Sequence, residues 1–197
     1  SVKLAPVPAN ATPQRLTIAG SSRRELQDVL VGEVWMCSGQ SNMQWSLSQS
    51  YHGDLEALAT VLPALRLISV PQVGTQELKS DFNGKWEAAT AQTAPSFSAV
   101  GLLYGRYLHQ VLKVPVGLID NAWGGSAAEA WVRRTTLERD PRFASLMEST
   151  RKREAELSSA KGKADFAAAV EKWKADSAKA KAAKKTAPRA PQDWLAG

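Results

Sequence analysis

Gly32-Glu33-Val34-Trp35-Met36-Cys37-Ser38-Gly39-Gln40-Ser41-Asn42-Met43-Gln44-Trp45 is an apolar stretch that runs into a small, polar turn. Val29 to Cys37 is rich in β-branched and aromatic residues, which predicts a buried strand. Ser38 to Asn42 breaks it with turn-forming residues, and a helix or loop carrying Met43 and Trp45 follows. A strand that stops at a tight Gly-containing turn presents its next side chain at the rim of a sheet, where α/β proteins hold ligands. Ser41 is that side chain. It can be a helix cap, as Ser and Asn commonly are, or a nucleophile that needs a base to take its proton. Spacing alone favours the cap.

A second stretch has the same design. Val114-Pro115-Val116-Gly117-Leu118-Ile119-Asp120-Asn121-Ala122-Trp123-Gly124-Gly125-Ser126 is an apolar strand running into a glycine pair, and Ala127 to Val132 opens the next segment. Glycine suits a backbone that must approach a substrate oxygen without a Cβ in the way. GEVWMCSGQSNMQW resembles the first signature block of the sialate O-acetylesterase family of the SGNH hydrolase superfamily, and the Trp-Gly-Gly-Ser turn resembles its second. The two blocks stand in the family's order, about 80 residues apart.

The resemblance implies a carbohydrate O-acetyl esterase in which Ser41 is the nucleophile. The oxyanion would be held by the backbone N–H of Ser41, by that of Gly125 or Gly124, and by an asparagine from a later block. Gln40, Asn42 and Trp123 would shape the turn or line the substrate pocket, with Trp45 as a further apolar wall. The family's base is a histidine three residues after an aspartate, near its C-terminus. Neither later block is present here: the last asparagine is Asn121 and no histidine follows His109. The chain is therefore expected to hold the N-terminal part of the catalytic domain only, to need the missing C-terminal half, and to be inactive alone. His109 falls in an amphipathic helix. His52, eleven residues after Ser41, could swing toward the site, but reach alone gives a base neither a fixed tautomer nor a direction.

The rest of the chain fits an α/β domain. Gly53 to Leu62 has helical spacing, Leu65 to Val70 is a short strand ended by Pro71, and Ser96 to Leu112 repeats apolar residues at three and four. Gln72 to Ala94 is polar and turn-rich. The alternation of strand and helix predicts a parallel sheet with helices on its faces. By resemblance it would be an incomplete three-layer α/β/α sheet of the SGNH type spanning residues 29–137. Before it, residues 1–28 look like the end of a small β-sandwich domain, so that Ser1 falls inside a domain.

Residues 138–197 read as a basic helical insertion. Of the 197 residues, the first 150 carry 13 Lys or Arg against 13 Asp or Glu, and the last 47 carry 12 against 6, so the whole net charge of +6 lies in the tail. Phe166, Val170 and Trp173 recur at helical spacing among Ala and Lys, suggesting one or two amphipathic helices or a hairpin pivoting at Gly162. Basic tails bind nucleic acid by counterion release, but the acids interspersed here and the lack of any zinc-finger, aromatic or RNP-like pattern argue for a solvated face and against a nucleic-acid partner.

No run reaches the roughly 18 apolar residues of a membrane span, and no signal peptide opens this numbering; a secreted or periplasmic location is implied by resemblance alone. The single cysteine, Cys37, lies in an apolar run and reads as a small buried hydrophobe. No HExxH, paired cysteines or phosphate loop suggests a metal or cofactor. The competing functions are a carbohydrate-binding remnant without chemistry, and another SGNH esterase, lipase-like or acetylxylan-directed.

Overall fold

The computed structural model describes residues 5–75 and 78–191. Residues 1–4, residues 76–77 of the polar stretch and residues 192–197 of the tail lie outside them. The chain divides into two compact units, Ser1–Pro71 with Phe82–Ser126, and Gln72–Asp81 with Ala127–Gly197.

The first unit opens with an antiparallel hairpin, β1 (Asn10–Ala19) and β2 (Arg23–Val31), turning at residues 20–22. A mixed sheet follows: β3 (Glu33–Gly39), β4 (Leu62–Ser69), β5 (Glu87–Ala89) and β6 (Val116–Ala122), in the order β3-β6-β4-β5. β6 runs parallel to both β3 and β4, and β5 is antiparallel to β4. Between the strands come α1 (Ser41–Gln44), α2 (Gly53–Leu58) and α3 (Ala99–Leu112). The architecture is thus mixed α/β, with the sheet parallel at its centre.

The apolar run Val29–Cys37 is not one strand. It divides at Gly32, between β2 and β3. The cause is a close passage: a Cβ on Gly32 would lie 2.0 Å from Pro115 O, and that same carbonyl accepts the N–H of Glu33 at 3.0 Å. The backbone is therefore pinned as it enters the sheet. Helix α2 stops at Leu58, short of the expected Leu62, which already belongs to β4. Helix α3 starts at Ala99 because Ser98 caps it, its Oγ accepting the Gly101 N–H at 3.0 Å.

Pleating sends Trp35 and Cys37 of β3, Val116 and Leu118 of β6, and Leu65 and Leu67 of β4 to one face, where they meet α3. Two glycines bring the helix in: added Cβ atoms would lie 2.9 Å from Cys37 Sγ at Gly101 and 2.6 Å from Leu118 Cδ1 at Gly105. Leu47, Ala57, Phe97 and Leu102 complete this core. On the opposite face the Trp86 ring lies over Gly117, and Val34 and Met36 are each 62% exposed.

The second unit is helical among its described residues. It contains α4 (Arg134–Arg139), α5 (Ala144–Ser158) and α6 (Ala160–Ala182). Arg134 pairs with Glu138 at 3.0 Å and with Glu154, tying α4 to α5. The pivot between α5 and α6 is Ser159, not Gly162. Its Oγ accepts the Gly162 N–H at 3.0 Å, which starts a new helix where a mid-helix glycine would only have weakened one. Phe166, Val170 and Trp173 are half-buried.

Candidate active site

Strand β3 ends at Gly39, whose φ of +148° is a conformation that favours glycine. Gln40 turns the chain and Ser41 is the first residue of α1. Met43 and Gln44 return their N–H groups to Gln40 O, at 3.1 and 2.9 Å. The Ser41 N–H has no partner among the described residues. Gln40, Ser41 and Asn42 are all exposed at this end of the sheet.

Register brings the second block alongside. Gly39 pairs with Ala122, and the Trp123 N–H extends the ladder to Gly39 O at 2.9 Å. The turn Trp123–Ser126 then folds over α1. A Cβ on Gly124 would lie 2.6 Å from Gln44 Oε1, 3.1 Å from Ser41 Oγ and 3.3 Å from Ser41 Cα, so a side chain here would push the Gln44 amide aside and crowd the serine. The Gly124 N–H donates to Gln44 Oε1, and Gln40 Nε2 donates to Ser126 O. Gly125 has φ +78° with nothing within 4 Å of an added Cβ. Trp123 is half-buried beside them. Gln44 is the residue the sequence reading passed over, although its place one helical turn beyond Ser41 was visible.

The other titratable candidates are engaged elsewhere. His109 Nδ1 lies 2.7 Å from Val114 O, closing the turn after α3. His52, in the left-handed region at φ +54°, packs its ring on Tyr51 at 3.9 Å. Among the described residues, neither bonds Ser41. Trp45 donates its Nε1–H to Gln49 O at 3.0 Å and is half exposed. Burial raises the Cys37 thiol, and the Asp120 carboxylate beside it pushes the same way, so the thiol stays protonated and is a poor rival nucleophile. Burial also raises Asp120, against the lowering effect of the Ala122 and Ser98 amides.

Among the described residues no group of three or more His, Cys, Asp or Glu could hold a metal ion, and no helix is long and apolar enough to cross a membrane. A groove of about 250 Å³ at the β4–β5 edge, lined by Leu67, Lys85, Glu87, Thr93 and Phe97 among others, contains none of the candidate residues.

No family model matches the chain. It is similar to sialate O-acetylesterases of Mus musculus, 38% identical over 122 residues that make up 57% of this chain and 23% of the relative, and of Homo sapiens, 36% identical over 115 residues. The chain thus spans about a quarter of the length of the curated relatives it matches. Among solved structures it is similar to a carbohydrate acetylesterase from Xanthomonas citri, with a TM-score of 0.66 at 35% identity over 70% of this chain and 32% of that one.

Proposed function

We propose, from the kinship of this chain with the sialate O-acetylesterases, that it carries the nucleophile-bearing part of an SGNH-type serine esterase acting on O-acetylated carbohydrate. One observation carries the reading. Ser41 opens a helix at the carboxyl end of a parallel strand, with the Gly124 backbone packed against it so closely that a Cβ would lie 3.1 Å from its Oγ.

Chemically, Ser41 Oγ attacks the acetyl carbonyl and gives its proton to a base. The carbonyl oxygen becomes an oxyanion that takes hydrogen bonds from the Ser41 amide and the glycine turn. The tetrahedral centre collapses by expelling the sugar oxygen, which takes a proton from the base, and leaves an acetyl-serine. Water then attacks that ester and releases acetate. Gln40, Asn42 and Trp123 border the entry.

Among the described residues neither His52 nor His109 hydrogen-bonds Ser41: the His52 ring packs on Tyr51, and His109 Nδ1 lies against Val114 O. The base, its orienting acid and the third oxyanion donor then come from polypeptide outside these 197 residues. In this scheme residues 29–137 contribute the first half of a three-layer catalytic domain, residues 1–28 end a small β-sandwich and residues 138–197 form an insertion. It also carries a secreted or periplasmic location.

The test is acetate release from O-acetylated sialic acid and acetylated xylose. The complete protein carrying these residues should hydrolyse at least one of them and lose about 10⁴-fold or more of its kcat on Ser41→Ala. Residues 1–197 alone should release none. Rapid release by the 197-residue chain that Ser41→Ala abolishes would overturn the missing-base argument and assign the role to His52. Binding of the acetylated sugar by the complete protein without any release would replace the esterase by a carbohydrate-binding module.

A further inference from the structure

The turn that packs on Ser41 offers its backbone donors unequally. In Trp123–Ser126, the Trp123 N–H is committed to Gly39 O at 2.9 Å and the Ser126 N–H to Trp123 O at 3.3 Å. The Gly124 N–H is committed to Gln44 Oε1. The Gly125 N–H alone in this turn has no partner among the described residues. A turn closed by its last N–H leaves its two inner N–H groups without a partner in the turn, so it is the Gln44 acceptor that distinguishes Gly124 from Gly125, whose exposed N–H stays open to an incoming acceptor.

We infer that Gln44 is a positioning residue, which ties up the Gly124 amide and so makes Gly125 the glycine donor presented to the reacting carbonyl. This rests on the esterase reading of Ser41 and deepens it. Gln44 and Ser41 share one four-residue helix, so the nucleophile and the strap move together. Gln40 holds the far end of the same turn by donating to Ser126 O, and Ser126 Oγ closes it by donating to Trp123 O at 2.7 Å. The turn is thereby fixed at both ends around Gly125, which is exposed and at φ +78°. Glycine serves at 124 for a different reason than at 125. At 124 a Cβ would strike Gln44 Oε1 at 2.6 Å, whereas at 125 it would meet nothing and the conformation itself is the demand.

Gln44 touches neither substrate nor the reacting atoms in this account, and acts through the orientation of the glycine peptides. An oxyanion donor strengthens its hydrogen bond as charge develops, so its misalignment lowers kcat more than it raises KM. A residue that merely supported the fold would lower stability and the fraction of active enzyme without that split.

The experiment uses the complete protein with ¹⁵N-labelled glycine, comparing wild type, Gln44→Leu and Gln44→Glu. Gln44→Leu removes the acceptor at similar size. It should abolish the exchange protection of the Gly124 amide and lower kcat, per titrated active site, by about 10- to 100-fold with KM changed less than about threefold. Gln44→Glu keeps an acceptor and should keep Gly124 protected, which guards against a Leu variant that folds poorly. Unchanged Gly124 protection in Gln44→Leu, or a loss confined to KM or to Tm, overturns the role of Gln44. Ser41→Ala, run in parallel, separates the two claims. If it stays active, the esterase reading falls. If it is dead while Gln44→Leu turns over like wild type, only the positioning role falls.

Discussion

At the scale of single residues, the site is made by backbone that comes too close for side chains. Gly124→Ala would drive a methyl group to 2.6 Å from Gln44 Oε1 and 3.1 Å from Ser41 Oγ. The Gln44 strap must give way, so acetate release by the complete protein should fall by about 10²-fold on this substitution, while Tm, read by scanning calorimetry, moves little because the turn lies at the surface. Asp120 makes a different prediction. Burial raises its folded pKa above the unfolded one, so its contribution to stability is fully present below the ordinary carboxylate range, about pH 3.9, and is lost as pH rises through the folded value. Asp120→Asn stays neutral at every pH and can still accept the Ala122 amide. Its Tm should exceed that of wild type at pH 7, and the advantage should vanish at pH 3. A variant less stable than wild type at pH 7 would show the carboxylate to be supported by its hydrogen bonds after all.

At the scale of elements, glycines and caps decide where strands and helices begin and how closely they pack. Gly105→Ala improves intrinsic helix propensity, yet its methyl would meet Leu118 Cδ1 at 2.6 Å in a site where Leu118 is 0% exposed. The clash outweighs the propensity, and denaturant unfolding should report a loss of about 1–3 kcal/mol. Ser159→Ala removes the cap that starts α6 and should cost about 1 kcal/mol, visible as lower helicity and an earlier thermal transition by circular dichroism. The three-and-four spacing of α3 and the apolar runs of β4 and β6 were legible in the sequence, because each is written in neighbouring residues. The division at Gly32 was not, since its cause is Pro115, over eighty positions along the chain. Nor was the pivot at Ser159 legible, where a cap competes with a nearby glycine for the same break.

At the scale of the whole molecule, β3 is an edge of the sheet, and its Val34, Trp35 and Met36 are 62, 41 and 62% exposed. An exposed apolar edge is a template for pairing with another chain. The 197-residue chain should therefore self-associate at micromolar concentration in light scattering, and Met36→Lys should reduce that association while leaving the far-ultraviolet circular dichroism unchanged. Strict monomers at high concentration would mean that this edge is protected.

The sequence by itself determined the alternation of strands and helices, the two blocks that end in Ser41 and in the Gly124–Gly125 pair, and the confinement of excess positive charge to the tail. These are local properties, written in neighbouring residues and in spacings of three and four. Only the tertiary structure decided that β6 lies directly beside β3, that Gly124 rests on Ser41 with its amide given to Gln44, and that, among the described residues, the Gly125 N–H has no partner and neither histidine hydrogen-bonds the serine. Each of those depends on groups far apart in the chain meeting at contact distance, and the register of β6 against β3 sets which of them meet.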